Sequence, residues 1–193
     1  MFLSITAALL HGLAYVIYLR QVRFGNSVPN PASWTVWAFL ATLNALTFWK
    51  ASGDALATMQ FFTGGVMCIA VFVYSLYAGK FAKLDTQAKV VLGIGLVACF
   101  VWWKLQDASY ANIIVAFGFA VSSWPTLRGV WRDSRNEKSL PWFIWTGAFI
   151  LTLLNVILRW KGQYISLLMP IELIIIHGAV AMLAVPKNEW LPE

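Results

Sequence analysis

The chain has 193 residues, 60% of them hydrophobic and 11% charged, with a mean hydropathy of +0.71. A soluble domain carries about 25% charged residues, so these values exclude one and indicate an all-α integral membrane protein. The net charge of +6 does not imply nucleic acid, because the basic residues sit in short loops between apolar spans.

Continuous apolar runs, unlike the alternating pattern of barrel strands, predict seven helices of about 20 residues, the length that crosses a hydrocarbon core. They run at 2–20, 32–50, 56–78, 88–104, 108–127, 141–160 and 164–185. The first has no basic residue before it and meets its first charge at Arg20. It therefore reads as a retained helix and not as a signal peptide. Cys68 and Cys99 lie inside spans and are expected to be free, buried thiols.

Lysine and arginine counts give the orientation. Loops 1–2, 3–4, 5–6 and the C-terminus hold Arg20, Arg23, Lys80, Lys83, Lys89, Arg128, Arg132, Arg135, Lys138 and Lys187. The opposite face holds Lys50, Lys104, Arg159 and Lys161. Ten against four predicts the N-terminus outside, the C-terminus in the cytoplasm, and a multi-pass protein of the cell (inner) membrane.

An internal repeat organises these spans. With Trp145 set over Trp37 and no gap, Leu127, Arg128, Val130, Trp142 and Leu151 fall on Leu19, Arg20, Val22, Trp34 and Leu43. Leucines coincide easily, but a repeated Trp-x-x-Trp below a repeated Leu-Arg-x-Val coincides less easily. The copies occupy helices 1–2 and 5–6, four helices apart, so both cross in the same direction as a parallel repeat. The expected architecture is 3+1+3: a three-helix bundle at 1–80, an inverting linker helix with its loops at 81–107, and a second bundle at 108–186. A cytoplasmic tail, 187–193, follows.

This arrangement resembles the SWEET and PQ-loop transporter superfamily, whose relatives include SemiSWEETs and nicotinamide riboside transporters. In that family two parallel triple-helix bundles flank a linker helix. The resemblance covers nearly the whole chain in topology, but in motifs only helices 1–2 and 5–6. The family's Pro-Gln pair appears as Pro125-Thr126 in helix 5, while Ile17 stands at the aligned place in helix 1. Pro31 and Pro141 lie at helix starts, where the family has a second proline within the helix. Neither a sugar substrate nor a symmetric four-proline hinge is therefore implied. The Trp102-Trp103 pair is similar to tryptophan-rich motifs of the nicotinamide riboside relatives.

Glu172 is the only acid within a span, in ISLLMPIELIIIHGAVAML. A charge at membrane depth usually faces a cavity or a partner. It reads as a substrate or proton site, against the alternative of a neutral carboxyl satisfied by a neighbouring helix. Asn44, Gln60 and Asn155 are expected at similar depth, forming with Glu172 a polar ring suited to an uncharged polar ligand. The plainer alternative is that each amide joins two helices. His11 and His177 are candidate proton-relay residues with Glu172. Glu172 and His177 lie about 140° apart around their helix, so they do not share a face. Ligand spacing for a metal is lacking, and no cofactor is expected.

Trp37 and Trp145 are expected to face each other across a pseudo-twofold axis, stacking on a planar ligand or closing an inner gate. Trp34 and Trp142, at the helix starts, fit an interfacial aromatic belt, as do Trp49, Trp102, Trp103 and Trp160 at the other end. Pro125 and Pro170 are hinge candidates because each removes a backbone hydrogen bond. The loop holding Arg128, Arg132, Asp133, Arg135 and Glu137 reads as an orientation signal that meets lipid headgroups.

These readings predict a transporter of a small polar or aromatic solute (sugar, nucleoside or vitamin-like) working by alternating access, possible as a monomer because both bundles are present. Proton linkage would require Glu172 to titrate. The alternative is a receptor of the same fold that binds a ligand or peptide without moving it. An opsin-like photoreceptor is excluded, since helix 7 carries no lysine before Lys187. No nucleophile–base set suggests an enzyme.

Overall fold

A backbone in hydrocarbon must satisfy its own hydrogen bonds, and continuous apolar runs do so as helices. The computed structural model describes residues 1–27, 29, 31–78, 86–105, 107–160 and 162–185. The described residues are all-helical: α1 (Phe2–Arg23), α2 (Pro31–Ser52), α3 (Ala55–Tyr77), α4 (Thr86–Leu105), α5 (Ala108–Arg132), α6 (Ser139–Leu158) and α7 (Ile165–Leu183). A 3-10 turn at Ser134–Asn136 precedes α6. Lys80, Lys83, Lys161, Lys187 and the 187–193 tail fall outside the described residues, as do the side chains of Cys99 and Trp102.

Local chemistry sets the boundaries. Gly53, at φ 60°, makes the tight turn between α2 and α3. Asp54 Oδ1 then caps α3 by accepting from the backbone N–H groups of Leu56 and Ala57, both at 3.0 Å. Asp107 caps α5 in the same way, accepting from Ser109 at 2.8 Å and Tyr110 at 3.1 Å. The predicted end of α5 at 127 is too early. Pro125 removes one intrahelical bond, yet the helix continues through it to Arg132. Around the proline, α5 is held from α2: Ser33 Oγ donates to the Ser122 carbonyl at 3.0 Å, and Trp37 Nε1 to Ser122 Oγ at 2.9 Å. Helix α7 likewise runs on through Pro170.

Helix α3 packs on α1 and α2, and α7 packs on α5 and α6. Between these groups α1 meets α6 and α2 meets α5, while α4 lies against α5 and α2. Polar side chains turn inward: Asn44, Thr47, Gln60, Asn112, Thr152 and Asn155 are all buried. Leu9, Val66, Phe117 and Ile175 are exposed on the outside, the reverse of a soluble protein. Among the described residues five helices, α1, α3, α5, α6 and α7, are long and apolar enough to cross a membrane. This fits an integral multi-pass membrane protein. In α2, Ser33, Asn44 and Thr47 turn their polar groups to α5.

Candidate functional site

Four tryptophans from two helices meet in the middle of the protein. Trp34 and Trp37 come from α2, Trp142 and Trp145 from α6, and each is at least nine-tenths buried. The i, i+3 spacing puts both members of each pair on one helix face. The Trp34–Trp37 rings are edge-to-face, 5.2 Å apart at 74°, and Trp142–Trp145 are 5.1 Å apart at 77°. Across the helices the contacts are crossed: Trp34 lies 6.4 Å from Trp145, and Trp37 lies 6.1 Å from Trp142. Trp37 and Trp145 both line one cavity, while the direct ring contacts between the helices are the crossed ones. Trp34 and Trp142 belong to this core instead of an interfacial belt. Trp49, Trp103 and Trp160, in contrast, are exposed.

The box borders a cavity of about 40 Å³, lined also by His11, Tyr15, Asn44, Phe149 and His177. One water needs about 10–15 Å³ of such space, so the cavity holds a few waters and the helices must part to admit a solute. Trp145 Nε1 finds no hydrogen-bond partner among the described residues. An unpaired indole N–H in an apolar box is costly, and an acceptor on a bound molecule would satisfy it. Both histidines flank Phe149, each with its ring centroid 5.0 Å away. Gly64 makes the room for His11: a Cβ there would stand 2.9 Å from His11 Nε2. Cys68 also lines the cavity, and Tyr15 OH lies 2.9 Å from its sulfur.

Above the cavity the amides divide into two separate clusters, not one ring. Gln60 Nε2 lies 3.0 Å from His11 Nδ1, and Thr152 donates to Gln60 Oε1, joining α1, α3 and α6. Asn112 Nδ2 donates to Asn44 Oδ1 at 3.0 Å and to Thr47 Oγ1 at 3.3 Å, joining α2 and α5. Of the expected binding residues, Trp37, Asn44 and Trp145 line the cavity. Gln60 sits behind His11, and neither Asn155 nor Glu172 is among the lining residues. Asn155 is buried on α6. Glu172 lies beside the Ala120 backbone of α5, with Oε1 unpartnered among the described residues. His177 lines the cavity and Glu172 does not, so the two point to different faces of α7.

Polar ties close the protein at both ends. At the end where α2 gives way to α3 and α6 ends, Arg159 Nε donates to Asp54 Oδ2 at 2.8 Å. The tie joins the start of α3 to the end of α6. Each charge also suits its helix terminus, since an anion is favoured at an N-terminus and a cation at a C-terminus. At the opposite end Glu137 departs from its expected place in a headgroup loop. It is only 2% exposed. Tyr18 OH donates to its Oε1 at 3.0 Å, and Trp142 Nε1 to its Oε2 at 3.3 Å. Trp34 Nε1 in turn donates to Tyr18 OH at 3.1 Å. Burial pushes the Glu137 carboxyl up to about 8, against a lowering pull from Tyr18, Trp142 and Ser27. The rest of the loop is solvated as expected: Arg135 pairs with Asp133 at 3.0 Å on the surface.

No family model, curated protein or solved structure matches the chain.

Proposed function

We propose that the protein is a membrane transporter of a small polar or aromatic solute, working by alternating access between two three-helix units with α4 as the inverting linker. On this reading α2 and α4 also cross the membrane, the N-terminus is outside, and the arrangement is SWEET-like. The observation that carries the reading is the tryptophan box. The repeat register pairs Trp34 with Trp142 and Trp37 with Trp145. Under that exchange Trp34–Trp145 becomes Trp142–Trp37, and the two separations agree, 6.4 Å and 6.1 Å. Helix contacts follow the same exchange, α1–α6 for α5–α2 and α1–α3 for α5–α7. A cavity on a pseudo-twofold axis, tied shut at both ends by contacts between the units, is what an occluded intermediate requires.

The ligand would lie between the indoles, its acceptor on Trp145 Nε1 and its polar edge toward Asn44. Gln60, Asn155 and Glu172 would act on it only through neighbouring helices, and proton linkage through Glu172 would need a path from α7 to the cavity. The test is uptake into proteoliposomes across sugars, nucleosides, vitamins and amino acids. Saturable uptake that is lost on Trp145→Ala supports the reading. A solute that binds the purified protein without crossing in any direction would sink it and leave the receptor.

A further inference from the structure

The buried carboxyl of Glu137 has no role in the solute path, yet it lies where the two units meet. Its Oε1 reaches Tyr18 on α1, its Oε2 reaches Trp142 on α6, and Tyr18 carries the chain on to Trp34 on α2. Its third partner is Ser27, from the connection between α1 and α2. All of these partners are uncharged. The cations nearby in sequence, Arg20, Arg23, Arg128, Arg132 and Lys138, are exposed, and Arg135 is held by Asp133. A buried carboxylate without a cation is expensive, whereas a neutral carboxyl is not, since Ser27 Oγ, which gives its own proton to Gln21, is left to accept the carboxyl's proton.

We propose that Glu137 is a proton-sensitive latch on the inner face: neutral while the Tyr18–Glu137–Trp142 cluster is closed, it ionises when the units part and water reaches it, so that cytoplasmic pH sets how readily the cavity opens inward. This rests on the reading of the cavity as a solute path. It makes the latch regulatory, because the proton leaves to and returns from the same face and so drives no net proton movement. A cleft of about 420 Å³, lined by Gln21, Asn26, Arg135 and Lys138, lies next to the cluster and would bring water to it when the units part. Gln21 Oε1 accepts from Ser27 Oγ at 3.3 Å, linking the cleft to the cluster.

The sign follows from the proton balance. The closed form binds the proton with the carboxyl raised to about 8, and the open form with the ordinary value of 4.5. Closure is therefore fully favoured below about 4.5 and is lost progressively as pH rises to about 8. Within that window each pH unit changes the open-to-closed ratio by up to about tenfold.

Cys68 reports the opening, since it is buried and lines the cavity. In a Cys99→Ser background, a charged, membrane-impermeant thiol reagent is applied to the cytoplasmic face of inverted vesicles. Its rate with Cys68 is compared with the rate in Glu137→Gln, which holds the neutral form. The ratio of the two rates cancels the rise of thiolate with pH. We expect the ratio to start near one in acid and to climb by up to about tenfold per pH unit until it levels near pH 8. Tyr18→Phe removes a donor that lowers the closed-state value, so the climb should start at the same pH but level off at a higher one. A flat ratio, or a Tyr18→Phe profile that does not move, overturns the latch. Labelling needs no solute, so a flat ratio leaves the transport reading standing, while a pH-dependent ratio with no transported solute keeps the latch and removes the transporter.

Discussion

The two ends of the protein are tied by different chemistry. At one end Arg159 and Asp54 form an ion pair at 2.8 Å, with the arginine side chain 38% exposed. At the other end Glu137 is 2% exposed and held by neutral donors. An arginine keeps its charge at every physiological pH, so the first tie answers to salt and hardly to protons. The second answers to protons and hardly to salt, because its groups are screened from solvent. Two closures that respond to different variables can be opened one at a time, which alternating access needs.

The largest expected effect falls on the box between the ends. Trp142→Ala removes a side chain with no exposure and should cost about 3–5 kcal/mol of stability, read as a lowered unfolding midpoint in detergent. It should also loosen the Glu137 end, because Trp142 donates to Glu137. Next comes the pH response of the Glu137 tie. Apparent stability should fall by a few kcal/mol between about pH 4.5 and 8, and Glu137→Gln should flatten the profile of midpoint against pH over that range. A profile unchanged by that substitution would mean that the carboxyl does not separate the two ends. Gly64→Ala should cost about 1–3 kcal/mol, because its Cβ would meet His11 Nε2 at 2.9 Å. In a His11→Ala background the same change should cost much less, a coupling that a double-mutant cycle measures. The smallest effect is expected at the Arg159–Asp54 tie. Arg159→Gln should cost about 1–2 kcal/mol, because Asp54, only 7% exposed, loses its cation but keeps its bonds to the α3 backbone, and part of the loss should be screened in about 1 M salt, whereas the Glu137→Gln difference should persist.

The sequence reveals most where length and polarity alone decide. The apolar runs mark where each helix lies, because a helix in hydrocarbon must be continuous and about 20 residues long. The sequence carries α5 through Pro125 but stops it at 127, because the charged run from Arg128 reads as loop, whereas the helix continues to Arg132. The burial of Trp34 and Trp142 was legible in principle. A tryptophan three residues from a cavity-facing one shares its face, and both pairs show that spacing. Their position at the helix starts drew them toward the interface. Glu137 gave almost no local signal, since it stands among charged neighbours and its partner Tyr18 comes from a distant helix. Glu172 was conspicuous as a lone acid, but sequence does not fix which side of α7 meets the cavity, and the carboxyl turns to α5 instead.

The most direct measurement is ligand-dependent thermal stabilisation of the purified protein across solute classes, comparing the parent with Trp145→Phe and Trp103→Phe. Trp145 lines the cavity with its N–H unpartnered among the described residues, while Trp103 lies exposed on the outside. Saturation at about a hundred times Kd should add about 2.7 kcal/mol. The account predicts that one solute class stabilises the parent and Trp103→Phe but acts much more weakly on Trp145→Phe. Equal stabilisation of all three proteins would place the ligand outside the tryptophan box and contradict it.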